Sequence, residues 1–195
     1  GTRPSMYFIE APSTMNELVM AKYLEKQNND LRFRRYVLSN IISRTYYHNF
    51  VTHLLEAHYQ REVYRLADSN KPINVNVLNN LKLNTLKQFW GNTVEIDDYA
   101  GLTWMRQPHY FMGLYPYTYS AGLTISTNAF NKIQNNEITY NDWLEVLKAG
   151  GTKKPLDLAL MVGVDLKTEK PLLDTIKTIS EMIDEIADIT NKLNK

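Results

Sequence analysis

From Leu31 to Ala67 the chain runs without a single glycine or proline. A run of this length without either of the two strongest turn formers leaves almost no place for the backbone to reverse. Within it Leu38, Ile41, Ile42, Phe50, Leu54, Leu55 and Ala57 recur at three- and four-residue steps. At about 3.6 residues per turn that spacing lays them along one face, and the run predicts one helix of about ten turns. Such an element leaves the rest of the fold to pack beside it.

The rest of the chain is punctuated the same way. Pro12 suits the first turn of a helix that continues to Gln27. Asn28 to Asp30 breaks that helix and can cap the next. Asp68 to Pro72 ends the long helix, and Asn74 to Trp90 predicts another, closed by Gly91. Asp97 and Asp98 suit the positive end of a short helix reaching Met105. Pro108 and Pro116 forbid a simple helical join. Beyond them Tyr117 to Ile133, Tyr140 to Lys148, and Pro155 to Met161 predict helices, the middle one ended by Gly150-Gly151. Pro171 to Lys195 predicts a last amphipathic helix, with Leu172, Ile176, Ile179, Ile183, Ile186 and Ile189 along one stripe. Alternation of the strand type is hard to find, so the expected class is all-α, one multi-helix domain over residues 1–195.

Composition narrows the function classes. A net charge of +1 gives no field to draw nucleic acid or an anionic membrane, so neither is an expected partner. There is no cysteine, which removes disulfides and thiolate metal sites and fits a reducing, cytoplasmic location. No apolar run approaches the roughly 20 residues of a membrane span. The start, "GTRPSMYFIE", lacks a secretory pattern and an initiator methionine, which suggests a piece of a longer protein.

Three constellations carry possible chemistry. His48, His53 and His58 stand five residues apart in sequence, which is poor spacing for two ligands on one helix face. "HLLEAH" lacks the order of a zincin helix, and His53 and His58 read as partly exposed members of a polar stripe. The second set is His109-Tyr110 with Tyr115, Tyr117 and Tyr119, where two prolines interrupt the helix and side chains can be aimed into a cleft. Imidazole and phenol groups donate to a carbonyl or oxyanion, though tyrosines also fill cores. The third is "FIEAPSTMNE", with Glu10 before Pro12-Ser13 and Glu17 seven residues on. Glu10 there is either a helix cap or a carboxylate committed to a metal.

Taken in order, "FIEAPSTMNE", "WMRQPHYFMGLYPYTYSAGLTISTNAF" and "LKAGGTKKPLDLALMVGVD" resemble the C-terminal part of the zinc oligopeptidases of the thimet-oligopeptidase class, most closely the bacterial oligoendopeptidase F branch. The family patterns are Glu-x-Pro-Ser, W-x-R-x-PHF/Y followed by F/Y-x-Tyr-x-Tyr-Ala-x-Gly, where this chain has Ser120 in place of the Ala, and Gly-Gly-[Ser/Thr]…Pro…Gly-Val-Asp, and together they cover almost the whole chain. The resemblance implies a channel-enclosing, zincin-type helical peptidase that hydrolyses short peptides with zinc-activated water. It implies that Glu10 is a zinc ligand, with Glu17 a candidate to hydrogen-bond a ligand histidine. It implies that His109 and Tyr119 hydrogen-bond the scissile carbonyl, with Tyr115 and Tyr117 competing for a further such role. No HExxH occurs in these 195 residues. The base glutamate and both histidine ligands are therefore expected in a preceding part of the same protein, and this chain alone is expected neither to keep Zn2+ nor to cleave peptides. The competing expectation is a non-catalytic helical interaction module that kept the fold, with the long helix and the Ile-rich last helix as seams for a partner.

Overall fold

Nearly every helix boundary read from a proline, a glycine or a capping residue is a boundary of the folded chain. The computed structural model describes residues 3–194, so Gly1, Thr2 and the expected helix end at Lys195 lie outside the described residues. Helix α1 spans Ala11–Gln27, with Pro12 in its first turn. Asp30 caps α2 (Leu31–Asn40) by accepting from the Arg32 N–H at 2.6 Å. Asn74 caps α4 (Val75–Trp90) through the Val77 N–H, and Gly91, with φ of 54°, ends it. Later come α5 (Pro116–Gln134), α6 (Tyr140–Ala149), α7 (Pro155–Leu160) and α8 (Lys170–Leu193). No strand occurs among the described residues, and no helix is long and apolar enough to cross a membrane. The class is all-α.

The expected ten-turn helix is continuous but not uniform. Between α2 and α3 (His53–Asp68) lies a π-helical stretch, Ile41–Thr52, of 12 residues. A π turn closes its hydrogen bonds one residue further along than an α turn and is normally a single-turn bulge. Here side chains take up carbonyls of the widened ladder. The Asn49 amide donates to the Thr45 carbonyl at 2.9 Å, and the Ser120 hydroxyl donates to the Asn49 carbonyl at 2.8 Å. More residues per turn shift the register of everything beyond. His53 is 1% exposed, whereas Leu54, counted in the apolar stripe by α-helical spacing, is 47% exposed. The expectation of a partly exposed His53 is corrected on that ground.

Two compact units divide the chain: residues up to Phe50 and from Thr118 onward form one, and Val51–Tyr117 the other. In the first, Phe8, Met15, Leu18, Tyr46, Leu123, Ile125, Phe130, Trp143, Val146 and Leu158 share one core. Helix α8 does not turn its whole apolar stripe inward. Pro171, Thr175 and Ile189 are buried, while Leu172, Ile176 and Ile183 stay exposed. Its facing side is set by Asn128 of α5, whose buried amide donates to the Pro171 carbonyl at 2.8 Å and to the Thr175 hydroxyl at 3.1 Å. The Asn131 amide adds a bond to the Thr178 hydroxyl at 2.8 Å on the same side of α8. In the second unit, the expected short helix is a 3-10 helix, Asp98–Arg106, capped by Asp97. It lies on α4, where the Trp104 indole donates to the Asn79 side chain at 2.8 Å.

The start of α1 meets α5 in the first unit. A Cβ built on Gly122 falls 2.8 Å from the Ala11 nitrogen and from the Glu10 carbonyl carbon, and 2.9 Å from the Glu10 Cβ. One turn further along both helices, the buried hydroxyls of Thr14 and Ser126 lie 2.8 Å apart. Only a residue without a side chain allows this approach. On an exposed helix Gly→Ala gains about 1 kcal/mol. At position 122 the added methyl meets backbone, and overpacking of this kind costs about 1–3 kcal/mol. Gly122→Ala is therefore expected to lower the urea midpoint of unfolding, and a raised midpoint would show that the two helices do not meet this closely.

Candidate active site

The segment between Pro108 and Pro116 cannot continue either neighbouring helix. Gln107 is extended, as a residue before proline must be. Pro108–Phe111 then makes a single 3-10 turn. Gly113 and Leu114, with φ of 44° and 55°, both take the left-handed region and bend the chain toward Pro116. Leucine in that region carries backbone strain, of the kind that collects at functional sites. The turn bears His109 and Tyr110, and after three intervening residues beyond its end comes Tyr115.

Side chains of α3 and α4 clamp this turn. The Gln60 amide of α3 donates to the Tyr110 carbonyl at 3.0 Å. The Lys82 ammonium of α4 donates to the Tyr110 hydroxyl at 2.7 Å and lies over the Tyr59 and Tyr110 rings. His53 Nδ1 lies 2.7 Å from a carboxylate oxygen of Glu56, one turn along α3. The Gln107 amide nitrogen lies 3.4 Å from the same Glu56 oxygen and 2.9 Å from His109 Nδ1. His109 Nδ1 is itself 4.0 Å from that oxygen. The His109 ring packs 5.3 Å from the rings of both His53 and Tyr115.

Buried charge shapes this corner. Burial by itself pushes the Glu56 carboxyl up. The hydrogen bond and charge of His53, the charge of Lys82 and the Gln107 amide outweigh it, and the net pKa lies below the ordinary carboxylate value. Burial lowers the Lys82 pKa, and the Glu56 charge opposes that. Burial, then the Glu56 charge, then Tyr59, push the Tyr110 hydroxyl far up, so it is a neutral phenol at neutral pH. Tyr117 is also raised by burial.

The residues singled out in the sequence are distributed as follows. His109, Tyr115 and Tyr117 belong to the second unit, and His109 and Tyr115 are in ring contact. Glu10 and Tyr119 belong to the first unit. Glu10 occupies the cap position of α1, but its side chain makes no capping hydrogen bond. Its carboxylate instead accepts from the Ser13 hydroxyl at 3.3 Å. Tyr119 stands three residues before Gly122, so the two share a face of α5, and Gly122 rests on the Glu10 backbone. Glu17 accepts from the Thr45 hydroxyl of the π stretch. The histidine pattern gave no hint of Glu56, Gln107 or Lys82. The one available signal was the three-residue step from His53 to Glu56, which puts both on one helix face.

Among the described residues, His53, Glu56 and His109 form a group with ligand-type atoms within 4.8 Å of one another. Within this group His53 Nδ1 and the Gln107 amide both meet the same Glu56 oxygen, and the Gln107 amide also meets His109 Nδ1.

The fold is that of known peptidases. The crystal structure of oligoendopeptidase-F from Enterococcus faecium superposes with a TM-score of 0.86 at 23% identity, covering 96% of this chain and 36% of that one. A putative peptidase from Chlamydophila abortus gives a TM-score of 0.84 at 24% identity, covering 96% and 31%. The model of peptidase family M3 matches residues 1–178, and the chain belongs to that family of zinc metallopeptidases. Among curated relatives, oligopeptidase PepF of Bacillus subtilis is 24% identical over 192 residues, 98% of this chain and 28% of that protein. An oligoendopeptidase F homolog of Borreliella burgdorferi is 26% identical over 190 residues, 95% of this chain and 31% of that protein. The chain thus spans less than a third of the length of either. For the family's zinc the donor set on this chain is incomplete. Among the described residues no group of three ligand-type side chains includes Glu10. A catalytic zinc takes three protein ligands and a water, so Glu10 by itself does not fit as a zinc site.

Removing the Glu56 charge tests the electrostatics. At neutral pH Glu56→Gln is expected to destabilise the chain by about 1–3 kcal/mol, read from urea unfolding. A carboxylate whose pKa is depressed by folding contributes stability above its unfolded pKa and loses it as pH falls through the folded value. The difference between wild type and variant is therefore expected to shrink as pH falls below the ordinary carboxylate range. A difference that stays constant with pH would contradict a charged Glu56.

Proposed function

We propose that this chain is the C-terminal part of a zinc-dependent oligoendopeptidase, with Glu10 one ligand of the zinc and His109 and Tyr119 donors to the scissile carbonyl of a short peptide. The observation that carries the reading is the seating of Gly122 on the Glu10 backbone, with Tyr119 on the same face of α5. It brings the two motif pieces together through one close helix contact in the first unit. On this reading the histidine ligands and the base glutamate come from an HExxH segment elsewhere in the same protein. When bound, the zinc supplies Lewis acidity and an activated water. The residues on this chain orient the peptide and hydrogen-bond the oxygen on which charge develops. Tyr115, in contact with His109, and Tyr117 are the alternatives for a third donor. On this reading the chain by itself is inactive, and the whole protein works in the cytoplasm.

A second reading, a helical interaction module, draws on the exposed Leu172, Leu173, Ile176 and Ile183 of α8. The two separate in the protein that carries both this chain and its HExxH segment. There Glu10→Gln is expected to abolish stoichiometric zinc, measured by metal analysis after dialysis. Tyr119→Phe is expected to lower kcat by about 10²- to 10³-fold, with zinc content unchanged, as for loss of one oxyanion donor. Absence of peptide cleavage and of stoichiometric zinc in that protein would favour the interaction module, whereas full zinc in Glu10→Gln or unchanged kcat in Tyr119→Phe would overturn the role proposed for that residue. Calorimetric titration of the chain alone is expected to show no tight zinc site.

A further inference from the structure

We infer that Gln107, oriented by Glu56, holds the His109 imidazole in the tautomer that carries its proton on Nε2. The Gln107 amide nitrogen lies 2.9 Å from His109 Nδ1 and 3.4 Å from a Glu56 carboxylate oxygen. An amide NH2 has two protons and no lone pair to offer, so it donates to both. A neutral imidazole has one N–H, and with Nδ1 accepting, that proton sits on Nε2.

The reverse arrangement would put the Gln107 carbonyl oxygen at the same place, accepting from a protonated His109 Nδ1. That oxygen would then face the Glu56 carboxylate, acceptor against acceptor, with no proton between them. Glu56 is buried at 7% exposure, and such a contact in a low-dielectric corner is costly. Its charge is held by His53 at 2.7 Å and by the field of Lys82. The order of control runs from His53 and Lys82 to Glu56, from Glu56 to the amide orientation, and from the amide to the tautomer. Neither Glu56 nor Gln107 is argued to touch substrate; both are positioning residues.

The functional meaning rests on the proposed peptidase role. A histidine that serves a carbonyl oxygen as a neutral donor needs its proton on the nitrogen away from its own supporting contact, and Gln107 guarantees that. The tautomer itself is independent of zinc and of cleavage.

The test is long-range proton–nitrogen correlation NMR on the uniformly labelled chain at neutral pH. His109 is expected to show a protonated Nε2 and an unprotonated Nδ1, with that tautomer in at least about fivefold excess, the scale of one hydrogen bond. Gln107→Met, which keeps length and removes the donor, is expected to bring the two tautomers toward equal populations. Glu56→Gln is expected to move them in the same direction. A wild-type His109 with its proton on Nδ1, an unchanged ratio in Gln107→Met, or stoichiometric Zn2+ shifting both His53 and His109 would each overturn the inference. If the tautomer behaves as expected while the complete protein cleaves no peptide, the peptidase reading fails and the tautomer assignment stands.

Discussion

The approach of α5 to the first turn of α1 governs what the first unit can present. It exists because Gly122 has no Cβ and because Thr14 and Ser126, both buried, satisfy each other's hydroxyls one turn on. A larger residue at 122 would hold the helices apart and leave those hydroxyls to be satisfied separately. Each hydroxyl also lies within hydrogen-bond reach of a carbonyl of its own helix, Thr14 at Glu10 and Ser126 at Leu123, so separation would cost the contact between them without orphaning either. Tyr119 gains its fixed relation to Glu10 from this crossing, through three residues of rigid helix. Precision of that kind comes from helix-borne groups, which are better fixed than groups on loops.

The second unit solves a different problem, the placement of a non-helical turn. Pro108, Gly113, Leu114 and Pro116 prevent the backbone from ordering itself by helix formation. Side chains of α3 and α4 do the ordering instead, through Gln60 on the Tyr110 carbonyl and Lys82 on the Tyr110 hydroxyl. Both donors are buried, and a buried ammonium is tolerable only with charge compensation. Glu56 supplies it and at the same time anchors the side of the turn that carries Gln107 and His109. One carboxylate thereby serves stability and site geometry together.

Helix limits were legible in the sequence because they follow from local chemistry: Asp30, Asn74 and Asp97 as caps, Gly91 and Gly150 as ends, Pro12 and Pro116 in first turns. What local chemistry could not show was the π stretch, whose carbonyls are satisfied by side chains, one of them Ser120 from 71 positions along the chain. With that stretch hidden, the register of α3 was also hidden, and His53 and Leu54 exchanged places between core and surface. The α8 stripe failed for a related reason. Hydrophobic periodicity assumes that the apolar face packs, yet here α8 is held by polar contacts from Asn128 and Asn131 of α5 and Arg34 of α2. Glu10, His109 and the tyrosines were found through the resemblance of ordered motifs, and their supporting residues were not, because support is a matter of distance rather than of pattern.

That contrast bears on how this corner of the fold tolerates change. The W-x-R-x-PHF/Y pattern leaves position 107 open, so a motif alone treats Gln107 as replaceable. In the folded chain it is one atom's width from two groups whose protonation states depend on it. Replacement by an apolar residue would leave the Glu56 oxygen with His53 as its hydrogen-bonding neighbour on that side and His109 Nδ1 without this donor. Two buried or half-buried acceptors facing each other at 4.0 Å invite a proton, and the simplest source is His109 itself, protonated on Nδ1. The Nδ1-protonated form would then compete with the Nε2-protonated one, and the two tautomers would approach equal populations. The donor on the opposite side of the ring would then be present only part of the time. A position that a motif leaves open can therefore be chemically decisive.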